Sequence, residues 1–369
     1  MKLKEIAIGY IDIPLVTPFK TALRTVNSVN DLIVKVTAED GTEGYGEAPP
    51  TAVITGDTKE SIEAAIRYYI APTIKGMDLE DLPAIMQKLE KCLAKNTTAK
   101  AAVDIALYDL YAKLQKKPLF RLLGEKEPEL VKTKLETDLT ISVNETEEMV
   151  RDSLLAVEKG FHVLKVKVGK GGAKDVERIR EIRNAVGKDI VIRVDANQGW
   201  TREEAVSTIT AMEDAGLGIE LVEQPVSYHD FKGMQYVTAQ VETPILADES
   251  VFSYEDAVRL MEEKGADLIN IKLMKTGGIH EAVRICDAAD QFGVKCMIGC
   301  MLEAKISVNA AVHLACAKQI ITKIDLDGPV LCSEDPILGG AVFNEQEITV
   351  SNDPGLGIHG IQGIRYLAD

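Results

Sequence analysis

No two of the six cysteines form a C-x-x-C pair; they are scattered at 92, 286, 296, 300, 316 and 332. That scatter excludes a C-x-x-C redox motif and reads as reduced thiols of a cytoplasmic protein. Basic charge is in deficit, with 42 Lys and Arg against 58 Asp and Glu, a net charge of −16. Nucleic acid and anionic membranes require basic surface, so neither is an expected partner. No stretch is long and apolar enough to span a bilayer. The segment MKLKEIAIGYIDIPLVTPF alternates like a strand, broken by Pro14 and Pro18, and lacks a signal-peptide layout. His162, His229, His280, His313 and His359 fit no metal-ligand spacing. There is no nucleophile elbow, Rossmann fingerprint, internal repeat or low-complexity tract.

What remains is an ordinary globular composition: 46% hydrophobic and 27% charged over 369 residues, enough chain for one large and one smaller domain. Residues 2–14, 31–38 and 42–47 read as strands, with Asp40-Gly41 as the turn between the last two. Helical periodicity follows at 58–73, 82–93 and 98–115. From about 133 strands and helices alternate. The strand candidates are 135–143, 162–169, 189–197, 219–225, 244–250, 267–275, 295–301 and 320–328. Thr201 with Glu204 fits a capping box and Ser253 an N-cap, while Gly160, Gly216 and Gly265 fall where helices should stop. The expected fold is α/β: a (β/α)8-type barrel over 126–339, preceded by an α+β capping domain over 1–125 that the Gly-rich tail, 340–369, completes.

Five charges recur through the barrel region. Lys167, Asp195, Glu223, Asp248 and Lys272 are separated by 28, 28, 25 and 24 residues, about one strand plus one helix each. Each lies at or near the end of an apolar run, so consecutive units present their charges at the carboxyl-terminal mouth of the barrel. Strand-end carboxylates often cap a helix or pair with lysine, but three in succession suit the hard oxygen ligands of Mg2+. Lys165 and Lys167, at i and i+2, share one face of their strand. Such K-x-K pairs are usually solvated; inside a barrel mouth, mutual repulsion is expected to lower their pKa and favour a general base. Lys272 lies four units on, across the mouth. Two bases on opposite faces of a metal-bound carboxylate could remove an α-proton from one side and return one to the other, with Lys165 helping to stabilise the enediolate. Glu249 is a candidate partner for Lys272, and Asn197 could orient a ligand. Asp325 and Asp327 lie at i and i+2 on the eighth strand; they either hold a substrate ammonium or serve a helix cap or salt bridge. The Gly277-Gly278 turn is a weak phosphate-loop signal.

The motifs KVKVGK (165–170), VDANQGW (194–200), VEQP (222–225), ADES (247–250) and NIKLMKTGG (270–278) together resemble the enolase superfamily, closest to its muconate-lactonizing subgroup. The resemblance covers essentially the whole chain. It implies Lys167 and Lys272 as acid/base catalysts, one Mg2+ per subunit on Asp195, Glu223 and Asp248, and a homo-oligomer. IDLDGP (324–329), PFKTALRTV (18–26) and PPTAVITGD (49–57) are similar to the dipeptide epimerases, whose eighth-strand carboxylates hold the α-ammonium. Under that resemblance Arg24 pairs with a glutamate side chain, or is a surface charge that leaves room for an apolar one; Cys300 and Met301 add a soft apolar wall. N-acylamino acid racemisation, o-succinylbenzoate synthesis and muconate cycloisomerisation are the alternatives within the subgroup, and a non-catalytic barrel is the alternative outside it.

Overall fold

The computed structural model describes residues 1–20, 25–169 and 171–368. The chain opens with an antiparallel sheet of β1 (Leu3–Lys20), β2 (Thr25–Ala38) and β3 (Glu43–Ala48). β1 is longer than its prolines suggested. They are absorbed where the β1–β2 register shifts between Pro14 and Phe19, an irregularity that tolerates the missing donors. The tail returns to this sheet, with Arg365–Tyr366 pairing along Gly9 and Tyr10 of β1.

The helix Thr97–Leu114 lies directly on β3. A Cβ at Gly46 would meet Ala102 O at 1.8 Å, and one at Gly44 would meet Ala106 O at 2.2 Å, so only glycine lets helix and strand approach so closely. The helix is apolar almost all round because it is buried on two sides. Ala102, Val103 and Leu107 pack into the cap core, while Ala101, Ile105 and Ala112 join the barrel core. One helix therefore seats the cap on the barrel.

Eight parallel strands follow in sequence order: β5 (Leu139–Ile141), β6 (Val163–Lys167), β7 (Val191–Asp195), β8 (Ile219–Glu223), β9 (Ile245–Ala247), β10 (Leu268–Ile271), β11 (Lys295–Gly299) and β12 (Ile321–Asp325). The two outer strands, β5 and β12, are joined by Asp138 N–H donating to Ile324 O at 3.3 Å. The first predicted strand is divided: β4 (Lys134–Glu136) pairs instead with Glu347–Thr349 of the tail, leaving three residues to the barrel. The capping box at Thr201 and the Ser253 N-cap both form. Gly160 and Gly216 adopt positive φ after their helices, but after Tyr254–Glu262 it is Lys264, φ 52°, that turns left-handed rather than Gly265.

Candidate active site

The ladder aligns the central charges. Lys167 is paired in register with Asp195, and Asp195 with Glu223, so the ends of β6, β7 and β8 form one row. Asp248 and Lys272 each follow their strand by one residue. β6 and β10 stand four strands apart in a sheet of eight, which puts Lys167 and Lys272 on opposite sides of the mouth. The three lysines, Asn197, Asp248, Glu249, Cys300, Met301, Asp325 and Asp327 line one cavity of about 70 Å3, together with Phe19, Thr51, Val53 and Ile54 from the cap. Arg24 lies outside the described residues.

Ammonium and carboxylate groups interleave. Lys165 Nζ sits 2.6 Å from Asp325 Oδ2, 2.7 Å from Glu223 Oε2 and 3.2 Å from Asp195 Oδ2. Lys167 Nζ lies 2.6 Å from Asp195 Oδ2, and Lys272 Nζ 2.8 Å from Asp248 Oδ2. For Lys165 this reverses the expected direction of the shift. Burial alone disfavours the Lys165 ammonium, but Asp325, Glu223 and Asp195 outweigh it and hold its pKa well above the ordinary value. Lys272 is likewise raised, burial being outweighed by Asp248. Lys165 is thus held as an ammonium at the centre of the site.

The residues nevertheless fit a hard divalent ion. Asp195, Glu223 and Asp248 are buried oxygen donors from adjacent units. Burial and the neighbouring Asp195 push Glu223 up to about 7, a sign of more negative charge than the lysines compensate. Among the described residues its Oε2 makes no hydrogen bond, the Lys165 contact being ionic and poorly aligned, while Asn270 Nδ2 holds Oε1 at 2.9 Å. Among the described residues no three such side chains yet converge as a closed cage, because ammonium groups lie between them.

Two geometries differ from expectation. Glu249 bonds Asn197 Nδ2 at 3.4 Å, whereas Lys272 pairs with Asp248. Asp327 is not on the strand: β12 ends at Asp325, and Asp327 opens the short helix Gly328–Leu331 and accepts Thr140 N–H at 2.7 Å. Both carboxylates still face the cavity. At Gly277-Gly278, Asp104 of the cap helix already accepts Ile279 and His280 N–H at 2.6 and 3.2 Å, so an anion would meet a carboxylate there.

Other residues emerge only here. Gln224, left-handed at φ 36°, accepts Asp248 and Ser250 N–H through Oε1, fixing the carboxylate's strand end. Buried Lys275 bonds Asp248 and Asn270. Gly299 makes room for Lys272, whose Cε a Cβ would meet at 2.9 Å.

A parallel barrel with opposed lysines over three carboxylates, closed by an antiparallel cap, is the framework of a proton-transfer enzyme. Residues 6–124 match the mandelate racemase/muconate lactonizing enzyme N-terminal domain and residues 148–360 the enolase C-terminal domain-like model, and the chain belongs to this family. It is 56% identical to an L-Ala-D/L-Glu epimerase of Clostridium acetobutylicum over 98% of this chain and 99% of that one. The substrate-liganded L-Ala-D/L-Glu epimerase of Bacillus subtilis superposes with a TM-score of 0.95 at 47% identity, covering 98% of this chain and 99% of that one. A dipeptide epimerase from Enterococcus faecalis, complexed with Mg and L-Leu-L-Tyr, gives a TM-score of 0.93 at 40% identity, covering 98% and 100%. The chain is accordingly an isomerase, of the epimerase type. No helix among the described residues is long and apolar enough to cross a membrane.

Proposed function

We propose that this enzyme inverts the α-carbon of the C-terminal residue of an L,L-dipeptide by proton transfer between two lysines. The observation that carries this reading is the opposition of Lys167 and Lys272 across a cavity also lined by Asp325 and Asp327. One lysine takes the α-proton and the other delivers a proton to the opposite face; the reverse reaction exchanges their roles. Lys272, paired with Asp248 at 2.8 Å, carries a proton to deliver in the arrangement described. Lys165 places a permanent positive charge where the substrate carboxylate gains negative charge, which lowers the barrier electrostatically. Asp325 and Asp327 receive the dipeptide's α-ammonium and thereby orient its carboxylate toward Lys165. Asp195, Glu223 and Asp248 would hold one Mg2+ per subunit, which supplies Lewis-acid stabilisation of carboxylate oxygens.

Substrate choice rests on the relatives and on the cavity wall. Similarity to two L-Ala-D/L-Glu epimerases supports Ala-Glu, with Arg24 as partner of the glutamate side chain. The apolar wall of Phe19, Ile54, Met301 and Leu302 supports apolar or aromatic dipeptides as a second reading. We further take 1–125 with 340–369 as the capping unit and 126–339 as the catalytic one, supported by the pairing of β1 with Arg365–Tyr366.

Incubation with Mg2+ and an L,L-dipeptide library in D2O tests the reading by mass spectrometry. Dipeptides one mass unit heavier are expected. Exchange confined to Ala-Glu supports the role of Arg24, and exchange of aromatic dipeptides replaces it with the apolar wall. No exchange in any dipeptide by metal-replete protein rejects the assignment in favour of N-acylamino acids.

A further inference from the structure

Three carboxylates are buried together where cap meets barrel, outside the catalytic cluster: Asp31 on β2, Glu47 on β3, and Glu303 in the turn between β11 and the helix Lys305–Ala317. Glu47 reaches from the cap onto that helix start. Its Oε1 accepts Ala304 N–H at 2.9 Å, and its Oε2 accepts Ser307 N–H at 2.8 Å and lies 3.0 Å from Ser307 Oγ. Asp31 Oδ2 adds a longer contact to Ala304 N at 3.4 Å. Glu303 Oε1 accepts Met301 N–H at 2.6 Å, and its Oε2 contacts Ser307 Oγ.

The hydrogens do not suffice if all these carboxyls are ionised. A serine hydroxyl has one proton to donate. Ser307 Oγ touches Glu47 Oε2 and Glu303 Oε2, so at one of these contacts it must accept. Both oxygens of Glu47 are already taken up as acceptors by backbone N–H groups. Among the described residues Glu303 Oε2 has only the hydroxyl, so the extra proton belongs there.

We propose that Glu303 is a protonated carboxylic acid donating to Ser307 Oγ, which donates to Glu47, and that this chain clasps cap to barrel and positions the Met301–Leu302 wall that selects the substrate's side chain. The wall immediately precedes Glu303, and Glu303 Oε1 holds Met301 directly. The Asp327 turn is seated on the same residue, since a Cβ on Gly328 would lie 2.7 Å from Glu303 O. Both sides of the substrate site thus take their position from one clasp. Burial pushes Glu303 up to about 7 against the Ser307 and Met301 hydrogen bonds; Glu47 adds to the rise and Lys272 opposes it. Asp31 is also raised, by burial and by Glu47 and Glu303; the neighbouring thiols are raised by burial first, Cys300 then by Asp327 and Glu303 and Cys332 by Glu47 and Asp31, so no thiolate competes for the proton.

This positioning role rests on the dipeptide reading, but the proton assignment does not. Glu303→Gln keeps an acceptor for Met301 and a permanent N–H donor for Ser307. It is expected to leave the kcat/KM ratio of L-Ala-L-Glu to L-Ala-L-Phe within about twofold of wild type. Ser307→Ala cuts the chain, and Glu47→Gln turns a donor toward an N–H; both are expected to change the ratio about tenfold, through KM rather than kcat. The Tm of wild type relative to Glu303→Gln is expected to fall as pH rises from 4.5 through about 7, the window in which the folded state holds the proton and the unfolded state does not. If Glu303→Gln disturbs the ratio as much as Ser307→Ala, or the Tm difference is flat with pH, the protonated clasp is overturned. Wild type that turns over neither dipeptide would reject the function reading alone, and the Tm comparison would still decide the clasp.

Discussion

Lys275, fully buried, places its Nζ 2.6 Å from Asp248 Oδ1. The other oxygen of the same carboxylate faces Lys272 at 2.8 Å. Lys275 also bonds Asn270 O at 3.1 Å. It therefore fixes the plane of Asp248 and spans the turn from β10 into the next helix. Lys275→Met keeps the length and removes the charge. It leaves part of Asp248 and a buried carbonyl unpaired, and is expected to destabilise the fold by about 3–5 kcal/mol. Urea unfolding at neutral pH measures it. A loss below about 1 kcal/mol, the value of a surface pair, would mean that Lys275 does not anchor Asp248.

Asp327 offers a cleaner test of ammonium binding than Asp325, which is also paired with Lys165. In Asp327→Asn the amide oxygen can still accept Thr140 N–H, so the turn should persist. Losing one buried countercharge is expected to cost dipeptide kcat/KM about 2–5 kcal/mol, or roughly 30- to 4000-fold. An N-acylated substrate, which carries no ammonium, should bind the variant as it binds wild type. Equal losses for both substrates would assign Asp327 a structural role.

Chelation should separate activity from folding. Lys165 and Lys272 already hold Asp195, Glu223 and Asp248 in ion pairs, so the carboxylates do not depend on a divalent ion to stay folded. EDTA is expected to abolish α-deuterium exchange while changing Tm by only a few degrees, and added Mg2+ should restore exchange. Exchange that survives exhaustive chelation would remove the metal from the proposed mechanism.

Acid sensitivity should trace in part to His313. Its Nδ1 accepts Phe120 N–H at 3.0 Å in the core, and burial pushes its pKa down to about 3. The folded-state pKa is depressed, so the contribution is complete above the unfolded value near 6.5 and is lost progressively as pH falls toward 3. Between pH 6.5 and 4.5 this is about 2–3 kcal/mol. His313→Asn, which can still accept from Phe120, is expected to lose less stability over that interval. Parallel pH profiles for the two proteins would show that His313 does not carry the effect.

Much of the site was legible because barrel geometry has a local period. A strand and a helix consume about the interval that separates Lys167, Asp195, Glu223, Asp248 and Lys272, so their convergence on one mouth follows from spacing and strand-end position. Capping at Thr201 and Ser253 was legible for the same reason, since donor and acceptor lie three residues apart. The helix on Gly44 and Gly46 showed its apolar stripe, though not that two cores share it.

The chain's order of charges and its alternating elements were determined by sequence alone, because they depend on neighbours within one turn or one strand. Tertiary structure alone decided what those charges do to each other. Lys165 meets Asp325 across 160 residues, and that encounter, summed with Glu223 and Asp195, raises its pKa where local repulsion from Lys167 suggested a lowered one. Glu47 meets Ser307 across 260 residues. Asp327 leaves its strand because Thr140 N–H draws it to β5, and β4 leaves the barrel because the tail supplies a partner. Coulombic fields and hydrogen-bond saturation depend on distance in space, and no spacing along the chain encodes that distance until the barrel closes.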